Sequence, residues 1–117
     1  VHVIAGFESQ IAARGGLSAM GRLAGALGAG LEGAALARRD TEGAIHVDPL
    51  RGYAMPDHVL HVLDGVVDCP RDAARLDVGM TALVVSLGAA GDADDVARLV
   101  DRGVLEEEGA VWVTTVG

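Results

Sequence analysis

The stretch from Glu32 to Leu50 constrains the fold most, because it carries two strands and the turn chemistry that joins them. Leu36 and Arg38 alternate with Ala35, Ala37 and Arg39, and Ile45 and Val47 alternate with Ala44, His46 and Asp48. That period of two is the mark of a strand with two unlike faces. Between the strands lies Asp40-Thr41-Glu42-Gly43. There Asp40 is placed to bond back to the backbone, and Gly43 to take the left-handed conformation that closes a type I turn with a bulge.

The elements around this hairpin follow from their own periods. Val1 to Phe7 is β-branched and apolar on both faces, which predicts an interior strand. Glu8 to Leu31 favours helix, with Leu17, Met20, Ala24, Leu27 and Leu31 on one stripe. Gly15-Gly16 is expected to break that helix, with Ser18 capping its second part, and Gly21 and Gly25 to bring it close to the sheet. Pro56 opens a short helix that Pro70 ends after Cys69, with Val59, Leu60, Leu63, Val66 and Val67 as its apolar stripe. Thr81 to Gly88 reads as a second interior strand, Asp92 caps a helix that Gly103 ends, and Ala110 to Val116 is a final strand.

The expected fold class is therefore α+β, one domain over residues 1–117. Two strand-helix-strand units predict a ferredoxin-like split βαβ arrangement, a four-stranded sheet with helices on one face plus a short extra helix. Strands one and four are expected to pair in parallel at its centre, with the hairpin and the last strand as edges.

Composition excludes several functions. The formal charge of −8 opposes binding to nucleic acid or an anionic membrane by bulk electrostatics. No segment is apolar over the roughly 20 residues that a spanning helix needs, since the tract from Leu17 to Leu31 is interrupted by Arg22. A single Cys69 excludes an internal disulfide, and with no signal peptide the expected compartment is the cytoplasm.

Two stretches carry a resemblance. Gly33 to Val47, with its Arg39-Asp40-Thr41-Glu42-Gly43 turn, and Leu76 to Val85, the entry to a central strand, resemble a family of uncharacterised bacterial ferredoxin-like domain proteins, some of them stress- or membrane-associated. The resemblance implies the fold and transfers no catalytic residue. The chain has Val78 and Met80-Thr81 where that family has Pro and Ser-Ser, and it lacks the Gly-rich apolar insert that many members carry after the hairpin. The last third, from Leu99 to Thr114, also resembles the end of a winged-helix module. Its helix, however, opens on Asp92, Asp94 and Asp95, which repel phosphate.

Chemical constellations are sparse. Asp57, His58, His61 and Asp64, with Cys69 and His46, have metal-binding residue types, but their spacing is that of a solvated helix stripe, so no metal is expected. His46 and Tyr53 are acid-base types without a converging partner, Ser9, Ser18 and Ser86 lack a nucleophile elbow, and Cys69 has no neighbouring cation. Gly25 to Gly30 lacks the ending of a phosphate loop. No catalytic residue and no cofactor is therefore expected.

Two classes of function compete. The first is a small interaction or regulatory domain that forms a homodimer through the sheet face turned away from its helices, with Ile4, Val84 and Trp112 as interface or ligand-contacting residues. The second is a small-molecule binding protein or enzyme of the dimeric α+β barrel type, with a cavity under that face. A flat apolar patch distinguishes the first and a closed polar pocket the second. Within one chain, the short helix from Pro56 to Cys69 is the competing cover for the same face.

Overall fold

The computed structural model describes residues 2–26, 30–67, 75–88 and 104–116. The elements are β1 (His2–Phe7), α1 (Gln10–Ala26), β2 (Leu31–Arg39), β3 (Ile45–Pro49), α2 (Val59–Val66), β4 (Thr81–Leu87), the short α3 (Val104–Glu107) and β5 (Ala110–Val116). They form an α+β fold around one five-stranded sheet of order β3-β2-β4-β1-β5, antiparallel at every pair. Two expectations are corrected here. The sheet has five strands, because β3 joins it outside β2, and the central strands β1 and β4 pair antiparallel. β1 and β2 run parallel with a one-strand gap between them, and β4 fills the gap running the other way.

The hairpin forms as its local chemistry dictates. Asp40 Oδ1 accepts from the backbone N–H of Glu42 and of Ala44, both at 2.9 Å, and Gly43 N–H donates to Asp40 O at 3.0 Å. Gly43 sits at φ 90°, where a side chain would be strained.

Helix α1 runs unbroken through Gly15-Gly16. Its cap is Ser9, whose Oγ accepts the Ala12 N–H at 3.1 Å, whereas Ser18 lies inside the helix with its hydroxyl on Arg14 O. Each interior glycine costs about 1 kcal/mol relative to alanine. Gly16 lies against Phe7, where a Cβ would fall inside the ring, so the close approach requires glycine there. The buried stripe is Ala13, Gly16, Ala19, Met20 and Ala24, so these small residues make the close approach to the sheet, while Gly21 and Gly25 face outward. Leu31, expected on the helix, begins β2, and Leu27 lies outside the described residues.

The sheet is buried on both faces. Val3, Ala5, Phe7, Leu36, Leu83, Val85 and Leu87 pack against α1. Ile4, Ala37, Ala82, Val84 and Trp112 pack on the other side against Val59, Leu63 and Val66 of α2. α1 and α2 thus lie on opposite faces, α2 in the place given to the short helix as the competing cover of the second face. Period-2 alternation in β1 and β4 feeds both cores. The second-crossover helix expected from Asp92 lies outside the described residues. Strand β5 pairs with β1 and is an edge of the sheet among the described residues. Among the described residues, no helix is long and apolar enough to cross a membrane.

Candidate functional site

The structure brings Ile4, Val84 and Trp112 onto one face, but as core. Ile4 and Val84 are register partners in the β1–β4 ladder and are 0% exposed, and Trp112, opposite Gly6 in β5, is 8% exposed. Leu63 of α2, itself fully buried, belongs to the same cluster. Trp112 lies flat over Gly6, where a Cβ would clash with the indole, and its Nε1–H donates to Arg75 O at 2.8 Å. Ile4, Val84 and Trp112 are thus buried within the described chain, with α2 residues in the same cluster. A sequence shows that both faces of β4 want burial, but not which element buries them.

What stays open lies at one end of the sheet and along one edge. β1 and β2 end where β4 begins, so three turns meet: Glu8–Gln10 leading into α1, Arg38–Thr41 leaving β2, and Val78–Thr81 entering β4. They enclose a cleft of about 580 Å³.

Its rim is held by side chains that bond to backbone. Arg39 Nε–H donates to Leu76 O at 2.6 Å and its Nη1–H to Gly43 O at 2.9 Å, tying the hairpin turn to the segment before β4. Asp40 uses its second carboxylate oxygen on His46 Nε2 at 2.6 Å. The His46 hydrogen bond first, then the Ala44 and Glu42 amides, hold the Asp40 carboxyl below its ordinary value. Arg38 pairs with Asp48 at 3.2 Å, an exposed pair that contributes little to stability. Thr81 faces Phe7 on one side and Arg38 on the other in the two ladders, and its side chain is the buried polar group of the cleft.

Beside the cleft is an apolar shoulder. Val78 and Val111 are each 56% exposed and line a hollow with Met80, Asp77 and Glu8. Val111 is the extra residue at the irregularity where Gly6 pairs with Trp112 and Phe7 with Ala110. From Trp112 to Val116, β5 runs in regular register with Gly6 to His2. Among the described residues no strand takes its outer edge.

The titratable candidates named from sequence do not converge. His46 is spent on Asp40, and Tyr53 is an exposed side chain in the loop after β3. His58 precedes α2 in a left-handed conformation and His61 lies on α2, and among the described residues no three His, Cys, Asp or Glu come together as a metal site. Cys69 lies outside those residues. Sequence reasoning missed Ser9, Arg38 and Thr81 as neighbours. The local signals were the strand-to-helix boundary after Phe7 and the hairpin turn at Asp40-Thr41, while the approach of Thr81 is long-range. Comparison of the chain with family models, with curated proteins and with solved structures finds no match.

Proposed function

We propose that this chain is a small interaction domain, built on a ferredoxin-like core, that self-associates through the edge of its sheet. The order β5-β1-β4-β2, antiparallel throughout, is consistent with a split βαβ core to which β3 adds an outer strand.

The observation that carries the reading is the unequal protection of the two edges. β3 is five residues long and carries His46, Asp48 and a terminal Pro49, all of which discourage a further strand. The regular part of β5, Trp112-Val113-Thr114-Thr115-Val116, has no charge and no proline. Its outward N–H and C=O groups need a partner or water. A second copy of β5, antiparallel about a two-fold axis, offers the same groups in the same spacing. The chain is acidic at −8, and this edge is a surface on which neither copy brings its charge. Val111 and Val78 lie beside it and add apolar area.

The competing reading, a barrel-type cavity beneath the second sheet face, is opposed by α2, whose Leu63 and Val66 occupy that space. Light scattering at micromolar concentration tests the proposal. The wild type is expected at twice the chain mass of 11.9 kDa. The double variant Val111→Lys, Thr115→Lys, at two exposed positions, is expected at the single mass with an unchanged melting temperature. A wild type at the single mass refutes self-association.

A further inference from the structure

The shape of β5 also fixes how two copies meet and where their assembly stops. We propose that the two-fold axis of the dimer passes through Thr114, normal to the sheet, so that Thr114 faces the partner's Thr114 and Trp112 faces the partner's Val116; this rests on self-association through the β5 edge.

Antiparallel pairing about a two-fold axis sets one residue of the strand against its own copy. The length of undistorted strand decides which residue that is. β5 keeps regular register with β1 from Trp112 to Val116, and Val111 is the extra residue at the irregularity before it. An axis at Thr114 pairs every residue of that regular stretch. An axis at Val113 draws Val111 into the ladder opposite Thr115, and an axis at Thr115 carries Trp112 and Val113 past the end of the partner's strand.

The faces agree with this register. Trp112 belongs to the cluster on the α2 side and Val113 packs against the cluster on the α1 side, so alternation gives Thr114 to the α2 side and Thr115 to the α1 side. Directly opposed residues share a face, so the joined sheet carries both copies of α1 on one side and both copies of α2 on the other. Thr114, the ladder partner of Ile4, is half-buried, and a threonine directly opposite a threonine is a favourable cross-strand pair.

The assembly closes at two chains. Once β5 has joined β5, the outer strands are the two copies of β3, guarded by His46, Asp48 and Pro49. Pairing of β5 with the β3 edge of a further copy would grow a filament, and those same residues oppose it.

Cysteine cross-linking of the full chain locates the axis. In a Cys69→Ser background, which removes the chain's one cysteine, Thr114→Cys sets two thiols across the axis on Cα atoms about 4.5–5.5 Å apart, within reach of a disulfide. Two copies of Thr115→Cys place theirs roughly 8 Å apart, out of reach. After mild oxidation Thr114→Cys is expected at twice the chain mass of 11.9 kDa on a non-reducing gel, and Thr115→Cys at the single mass. A mixture of Val113→Cys and Thr115→Cys chains, directly opposed in this register, is expected to cross-link with Thr114 intact. A dimeric mass in solution with no cross-link from either Thr114→Cys or the mixture overturns the register and leaves self-association standing. So does Thr115→Cys alone cross-linking as fast as Thr114→Cys. A wild type at the single mass overturns both.

Discussion

Truncation of Leu63 to alanine tests whether α2 closes the second face of the sheet. Leu63 is 0% exposed and packs among Ile4, Val84 and Trp112. Three carbons are removed, worth about 2.4 kcal/mol at roughly 0.8 kcal/mol each in transfer alone. The cavity left behind adds to this, because sheet residues on the ladder cannot follow a retreating helix side chain, so the total loss is expected at about 3–4 kcal/mol. For a domain of this size that corresponds to a fall in melting temperature of roughly 10–20 °C. The control lies one turn away in the helix: Leu60 is 53% exposed, and Leu60→Ala is expected to stay within about 0.5 kcal/mol. Chemical denaturation of both variants beside the wild type, at several protein concentrations, gives the two differences. Equal losses for Leu60 and Leu63 would show that α2 does not dock as described. A loss for Leu63 that vanished on dilution would assign the face to a second chain.

Two further outcomes follow from local geometry. Gly6→Ala places a methyl group against the Trp112 indole and is expected to cost about 1–3 kcal/mol, with a red-shifted tryptophan emission as the ring is pushed toward solvent; an unshifted emission with unchanged stability would contradict the contact. Asp40 has a depressed folded pKa, so its contribution is present above the ordinary carboxylate value of 3.8 and is lost as pH falls through the folded pKa. Asp40→Asn is accordingly expected to be less stable than wild type near neutrality, with the difference closing in acid, and pH-dependent melting that ran parallel for the two proteins would refute the role of the carboxylate.

The hairpin turn was legible from sequence because its chemistry is local. Asp40, Gly43 and the amides between them lie within five residues, and their hydrogen bonds do not depend on the rest of the chain. The strands β4 and β5 were legible for a related reason: alternation at period two in Thr81 to Leu87 leaves one backbone geometry that buries Leu83 and Val85 on one side and Ala82 and Val84 on the other. Of the cleft, the hairpin turn at Asp40-Thr41 and the strand-to-helix boundary after Phe7 were visible in this way.

Tertiary structure decided the rest, because it depends on contacts between residues far apart in the chain. Propensity opposes Gly15-Gly16 in a helix, yet α1 runs through both, and Gly16 sits where a Cβ would meet the Phe7 ring. The pairing direction of β1 and β4 is set by which gap the crossover leaves, a property of the assembled sheet. An apolar stripe on α2 states that the helix must be buried but is equally satisfied by either sheet face or by another chain, and only the docking of Leu63 beside Ile4 and Val84 selects one. Thr81 lines the same cleft as the start of α1 although more than seventy residues of sequence separate them, and no local pattern encodes that juxtaposition.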